Sequence, residues 1–369
     1  MTAGGHDLTS QVWDVVVIGG GQAGLATGFY LRRSGLRFVI LDEQSAPGGA
    51  WQRAWPSLRL FSPAQWSSLP GWLMPRDRDA GADEYPTRDQ TIAYLAEYER
   101  RYALPVIQPV RVEAIRRAGE GFVLETSAGA VQARAVVSAT GTWASPVAVD
   151  VPGRGTYRGR VLHSADYPGR DAFIGQRVVV VGGGNSGAQI AAELADCADV
   201  TWATRELPTF LPEYVDGRYL FEQATARYKA IQEGRTPDPP RSLGDIVMVP
   251  PVRAALARGV LHAEPMFTRF TADGVEWPDG RAEAVDAVIF AIGFRPALRH
   301  LAPLGLVDAR GRVAMASDGG GTRVADAIPL WLVGYGDWTG FASATLIGVG
   351  RSARATVEEI IQLLNSRSA

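Results

Sequence analysis

Six glycines and two charged residues are the positions of this chain best suited to do chemistry. Gly19, Gly21 and Gly24 form a G-x-G-x-x-G turn after four apolar β-branched residues. Gly182, Gly184 and Gly187 form a second turn after four more. In such a turn the first glycine permits a tight bend, the second lets backbone approach a pyrophosphate, and the third lets the next helix pack on the strand. That helix then offers unpaired N–H groups and the positive end of its dipole to phosphate. Gln22 and Ala23 complete the first candidate turn, and Asn185 and Ser186 the second. Counting 23 residues from the first glycine reaches Asp42 in one case and Arg205 in the other. In a Rossmann unit that position ends the second strand, beside the adenosine ribose. A carboxylate there accepts bonds from ribose hydroxyls, and a guanidinium suits a 2′-phosphate. Asp42, followed by Glu43, predicts FAD behind the first turn. Arg205, preceded by Thr204, predicts a nicotinamide cofactor behind the second.

Each turn needs a buried strand before it and a helix after it, so the pattern predicts an α/β fold with two Rossmann-like dinucleotide-binding domains. LRFVILD reads as the strand that carries Asp42, with Gly35 as the C-cap of the preceding helix. TRDQTIAYLAEYERRY reads as a helix capped by Thr87. LPVIQPVRVEAI, FVLETSA and AVQARAVVSATG read as strands, VDAVIFAIGF as the last buried strand of the second domain, and LWLVGYGDW as a strand. TLIGVGRSARATVEEIIQLL reads as a final helix that starts near Ala344. The C-terminal piece returns to the first domain in this reading. The FAD domain is then 12–150 with 295–369, and the NAD(P)H domain is 151–294, inserted between them. An insertion over 206–262 and an exposed loop over 233–245 complete the second domain.

With 369 residues and 46% hydrophobic residues, the chain is long enough for two domains with sizeable cores. Its formal net charge of -2 argues against nucleic acid or an anionic membrane as an obligate partner. No apolar run approaches the roughly 18 residues of a membrane span. The N-terminus lacks the basic and apolar regions of a signal peptide, so a cytoplasmic protein acting on a small molecule is expected. Whether it forms a homodimer is left open. A single cysteine, Cys197, rules out a disulfide or C-x-x-C pair within the chain and reads as a small core residue in a helix. One Cys and four His make a structural metal site improbable, and none is assigned.

Further segments carry a resemblance. They are PGGAW at 47–51, SLRLFSP at 57–63, YPTRDQ at 85–90, ATGTW at 139–143 and VGYGDWTGFASATLIGVGR near the C-terminus. To these is added the linker Tyr157-x-Gly159-x-x-x-His163-x-x-x-Tyr167. With the two glycine turns, these segments make the chain resemble the class B flavoprotein monooxygenases. That family includes the flavin-containing and Baeyer–Villiger monooxygenases, and the likeness is nearest to the short bacterial members, including those found with arsenic-resistance genes.

The resemblance implies that Gly49, Ala50 and Trp51 run along the flavin and that Val112 passes the adenine. Ala139, Thr140 and Gly141 mark the strand end leaving the first domain, and Asp337 meets the ribityl chain. The final helix would aim its N-terminus at the flavin pyrimidine. His163 lies between the domains, either acting near the nicotinamide cofactor or pinning the linker by backbone bonds. Tyr157 replaces a leading Phe, and Tyr167 leans towards the flavin-containing group. Ile292 replaces a Thr in the second domain's equivalent of the 140 turn. Trp51, Trp55, Phe61, Trp66 and Trp72 crowd into a loop that either packs a core or walls the flavin from water. Leu60 is expected to contact the FAD. Many members place an asparagine near the flavin; this chain offers Phe61, Ser62 and Gln65 instead, with Phe61 and Gln65 as catalytic candidates beside His163.

The implied activity is an FAD-dependent, NAD(P)H-consuming monooxygenation through a flavin C4a-(hydro)peroxide. NADPH is preferred and NADH also used, with O₂ and a small soft nucleophile as co-substrates. Sulfoxidation and N-oxidation head the expected reactions, with Baeyer–Villiger oxidation of strained ketones as an extension. The rivals are an NAD(P)H oxidase or flavin reductase, an electron-transfer flavoprotein reductase, and a non-catalytic sensor. The flavin carries the chemistry in each enzymatic reading.

Overall fold

In the computed structural model, residues 8–366 are described apart from 77–84, 214, 216–218, 220, 223–224, 227–228, 231–232, 237–244, 317–320, 326–327, 341 and the side chain of Asp337. The chain divides into two compact units. The first comprises Met1–Gln52, Ala64–Ser145 and Arg295–Ala369; the second comprises Arg53–Pro63 and Pro146–Phe294. The short segment 53–63 therefore groups with the second unit.

The first unit begins with β1 (Val12–Ile18), α1 (Gln22–Leu31) and β2 (Phe38–Leu41). After α2 (Arg88–Arg101) come β3 (Val106–Ile107), β4 (Val112–Ala118), β5 (Gly121–Thr126) and β6 (Gly129–Ser138). Its described strands lie in the order β3-β2-β1-β6-β5-β4, and a later strand from 330 to 332 also pairs with β6. β1 is parallel to β2 and β6, whereas β4, β5 and β6 form an antiparallel meander. Val15, Val16, Val17, Val136 and Val137 have no exposed surface, as expected of central parallel strands covered on both faces. Thr87 caps α2 through a full capping box with Gln90, as the sequence indicates.

The second unit carries β7 (Arg160–His163), β8 (Arg177–Val181), α3 (Asn185–Leu194), β9 (Asp199–Thr204), α4 (Pro250–Ala257) and β10 (Ala263–Pro265). There follow β11 (Arg269–Phe270), β12 (Gly274–Glu276), β13 (Ala282–Ala284) and β14 (Ala287–Phe290). A parallel sheet runs β10-β9-β8-β14-β7, and β11-β12-β13 form a small antiparallel sheet. The chain closes, back in the first unit, with β15 (Leu330–Leu332) and α5 (Val349–Ser366).

Three local expectations are corrected. The final helix starts at Val349, not near Ala344. Ala342 has a left-handed backbone (φ 56), and the Thr345 hydroxyl accepts the Gly348 N–H at 3.0 Å in the manner of an N-cap, so 342–348 is a turn. Gly35 is left-handed (φ 76) but lies three residues beyond the helix cap, Arg32. Cys197 lies beyond the end of α3 and is only half-buried, packing against the second unit's core from outside. Part of the loop expected over 233–245 lies outside the described residues.

Candidate functional site

The same turn is built twice. Gly19 has φ +106, and a Cβ there would stand 2.5 Å from the Ala139 carbonyl oxygen; Gly182 has φ +140 and would stand 2.2 Å from that of Ala291. A Cβ on Gly24 would come within 1.8 Å of the Gly19 carbonyl oxygen, and one on Gly187 within 2.1 Å of that of Gly182. Only glycine satisfies both the backbone twist and the contact at Gly19 and Gly182, and the contact alone excludes a side chain at Gly24 and Gly187. The turns then enter α1 and α3 with Gly21 and Gly184 as N-caps, neither of which supplies a side-chain cap. The first N–H groups of each helix are left for an anion.

Asp42 follows β2 and is only 5% exposed. Its Oδ1 accepts the Gln44 N–H at 3.1 Å, while its buried Oδ2 has no partner. Burial pushes the carboxyl above the usual carboxylate range, and the Gln44 N–H pulls it partly back. Glu43, next to it, is exposed. The Val110 N–H donates to the Asp42 carbonyl at 2.7 Å, which draws the chain leading to Val112 past this strand end.

Gly49 approaches the first turn closely: a Cβ there would stand 2.6 Å from the Gly21 Cα. Trp51 donates its indole N–H to Gln22 Oε1 at 3.3 Å, and Gln22 Nε2 donates to the Ala344 carbonyl at 2.6 Å. Gln22 thus staples the 49–51 segment and the turn before α5 to the start of α1, a role that its place in the motif does not reveal. Ala50 is exposed. Ala139 donates its N–H to the Ile18 carbonyl, and Gly141 accepts from the Ala297 N–H. Thr140 bonds to Tyr335 and to the Ala297 carbonyl. The backbone at Asp337 sits in a short 3-10 turn held by Thr339 and Ser343 hydroxyls.

In the second unit Thr204, the last residue of β9, is 4% exposed and pairs with Pro265 of β10, whereas Arg205 and Glu206 are exposed. Asn185 gives its side chain to the inserted segment, donating to the Asp245 carbonyl at 3.0 Å and accepting the Val247 N–H at 2.9 Å. Its backbone N–H, with that of Ser186, remains at the helix start. His163 Nε2 donates to the Gly293 carbonyl at 3.1 Å, and Nδ1 accepts the Ala165 N–H at 3.1 Å. A carbonyl accepts only, so the ring is the neutral Nε2–H tautomer with both nitrogens engaged. Burial holds its pKa below the ordinary histidine value. The ring thus ties β7 to the end of β14.

Tyr157 and Tyr167 are core residues of the same unit. The Tyr157 hydroxyl donates to the Val285 carbonyl, and Tyr167 stacks on Phe173 and meets the edge of buried Trp55. The loop candidates divide between the units. Leu60 is buried and Phe61 half-buried in the second unit's 53–63 segment, while Gln65 lies in a 3-10 turn of the first. Among the described residues no group of three or more His, Cys, Asp or Glu could hold a metal ion, and no helix is long and apolar enough to cross a membrane.

The profile of the family described as Pyridine nucleotide-disulphide oxidoreductase matches residues 16–214, more than half of the chain. The chain is 49% identical to a flavin-containing monooxygenase from Stenotrophomonas maltophilia. That match covers 97% of this chain and 100% of the other, with a TM-score of 0.84. The chain belongs to this family and is a flavin-containing monooxygenase. A double mutant of the Stenotrophomonas enzyme matches at 50% identity over 96% of this chain and 99% of its own, with a TM-score of 0.86. The indole-3-pyruvate monooxygenase YUCCA4 of Oryza sativa subsp. japonica is 28% identical over 97% of this chain and 90% of its own. Membership implies that this monooxygenase uses FAD and NADPH, and its class of reaction is an oxidoreduction with O₂.

Proposed function

We propose that the monooxygenase holds FAD in the first unit and NADPH in the second, and that it oxygenates small soft nucleophiles at sulfur or nitrogen, with strained ketones as further substrates. The observation that carries the cofactor assignment is Asp42 Oδ2, a buried oxygen with no partner at the ribose position behind the first turn. A buried acceptor left unmatched costs stability, and ribose hydroxyls satisfy it. The turn at 19–24, the strand end at 139–141 and the backbone at 337 surround the same edge of the first sheet. Residues 49–51 lie on the turn, and Gln22 fixes the Trp51 indole. Exposed Arg205 reads the 2′-phosphate of NADPH, and Glu206 beside it keeps NADH usable. FAD, when bound, supplies hydride acceptance and oxygen activation. The chain supplies binding, orientation and exclusion of water. His163 holds the linker, and no residue of the described set is needed as a covalent nucleophile.

The test is product analysis with thioether and amine substrates, NADPH and oxygen-18 gas. Label in a sulfoxide or N-oxide, matched to NADPH consumed, supports the reading. Hydrogen peroxide formed in step with NADPH while the substrate returns unchanged would give the oxidase reading instead.

A further inference from the structure

Ser138, the last residue of β6, stands in register with Ile18 at the end of β1 and with Leu332 at the end of β15. It therefore lies directly beneath the edge where the first glycine turn leaves β1. Around it stand three polar side chains, those of His300, Tyr335 and Thr140. Ser138 has no exposed surface, and His300 and Tyr335 are each 5% exposed. Ser138 Oγ lies 2.9 Å from His300 Nε2 and 2.6 Å from Tyr335 Oη. Tyr335 Oη lies 2.7 Å from Thr140 Oγ1 and accepts the Thr140 N–H at 3.1 Å. Thr140 Oγ1 lies 2.8 Å from the Ala297 carbonyl oxygen.

Counting hydrogens fixes every direction. A carbonyl only accepts, so Thr140 donates its hydroxyl proton to Ala297. Thr140 Oγ1 must then accept from Tyr335. Tyr335 has one proton, already placed, so the Ser138 hydroxyl donates to it. The proton between Ser138 and His300 therefore comes from His300 Nε2. Each hydroxyl donates once, and the histidine carries a proton on Nε2. Burial alone pushes His300 down to about 4, in keeping with the neutral ring.

We infer that His300, Ser138, Tyr335 and Thr140 form a one-way hydrogen-bond chain that positions the two loops at the cofactor-facing edge of the first sheet, 140–141 and 336–339. The chain ties the end of β6, the turn at 299–304 and the loop after β15 to one another. The inference rests on the proposed FAD site for its functional sense, while the chain's direction stands on the distances alone. A buried polar network in which every member is satisfied specifies one arrangement, and loss of a central member orphans its neighbours. Tyr335 is the central member. Removing its hydroxyl leaves the Ser138 proton, the Thr140 N–H and a Thr140 lone pair unmatched. Replacing His300 by glutamine keeps an N–H donor at the head of the chain.

The experiment uses the full chain, stripped of flavin and retitrated with FAD by fluorescence, beside the melting temperature of the apoprotein. Tyr335→Phe is expected to weaken FAD binding about tenfold or more, and His300→Gln to stay within about threefold of wild type. Tyr335→Phe that lowers the melting temperature with FAD affinity unchanged would overturn the positioning role. Nitrogen-detected NMR of the histidines in the apoprotein, with His300 assigned by its loss in His300→Gln, reads the tautomer independently of any variant's folding. A proton on Nε2 supports the chain, and a bare Nε2 with the proton on Nδ1 overturns it. If wild type takes up no FAD, the site reading fails and the positioning role falls with it, while the NMR result still decides the direction of the chain.

Discussion

The two glycine turns are nearly superposable in their constraints, yet the residues at their ribose positions differ in burial as much as in charge. Asp42 sits at 5% exposure with an unmatched oxygen, pressed so close to Gly20 that a Cβ there would lie 2.6 Å from Oδ2. Arg205 is exposed and, among the described residues, unpaired. A buried acceptor lacking its donor is a site prepared in advance, and its ligand recovers a large desolvation cost when it binds. An exposed guanidinium offers a screened contact that forms and breaks cheaply. Under the proposed function this is the difference between a cofactor that stays and one that must leave after each turnover. Burial, more than residue type, sets that difference.

The largest effect expected is at Asp42. Asp42→Ala should weaken FAD binding about tenfold to a hundredfold, as loss of a charge-assisted bond in a buried site implies. NADPH affinity, measured by quenching of protein fluorescence, should stay within about twofold because the substitution lies in the other unit. Equal loss of both cofactors would break the comparison at its root.

A smaller effect is expected at Arg205. Arg205→Ala should raise KM for NADPH roughly three- to tenfold, since an exposed charge contact is worth less than a buried one. KM for NADH should barely move, because Glu206 and the ribose contact are untouched. The ratio of kcat/KM for the two cofactors is the sharper readout. If wild type already prefers NADH, Arg205 does not read the 2′-phosphate. A drop for both cofactors together would place Arg205 in the packing of the turn.

Much of this architecture is legible in the chain, for identifiable reasons. The glycine turns announce themselves because no other residue meets the φ and the contact at Gly19 or the contact at Gly24. Thr87 with Gln90 three residues on is a local signal, and local signals survive folding. Other features depend on partners distant in sequence. Gln22 looks like one more residue of the phosphate turn until Trp51 and Ala344 are seen on either side of its amide. Ser138 and Tyr335 are 197 positions apart, and only a polar residue ending an apolar strand hints at the network. His163 shows the opposite limit. The linker motif marks it clearly, but the bonds of its ring nitrogens to the Gly293 carbonyl and the Ala165 N–H depend on a strand end 130 positions away. The start of α5 was displaced by a left-handed Ala342, a conformation that nothing in an alanine foretells.

The smallest effect expected concerns a second carboxylate near the first ribose position. Glu99 on α2 is raised to about 7, chiefly by burial and secondarily by the charge of Asp42. Its folded pKa lies above its unfolded value, so the folded state holds a proton that the unfolded state has released. The stabilisation is complete below the unfolded value of 4.5 and is lost as pH rises through about 7. Glu99→Gln mimics the protonated form at every pH. Its apoprotein should melt with wild type at pH 5 and about one to three degrees above it at pH 8, a modest shift because the side chain is only partly shielded from solvent. Bound FAD should enlarge the wild-type loss at pH 8 if its ribose keeps Asp42 ionised beside Glu99. Among the described residues the second unit has no counterpart to this pair at Arg205, so the pH dependence of NADPH affinity should be unchanged by the substitution. A melting difference that does not vary with pH would mean that Glu99 titrates as an ordinary exposed carboxylate and that the shielding of the first ribose position stops at Asp42.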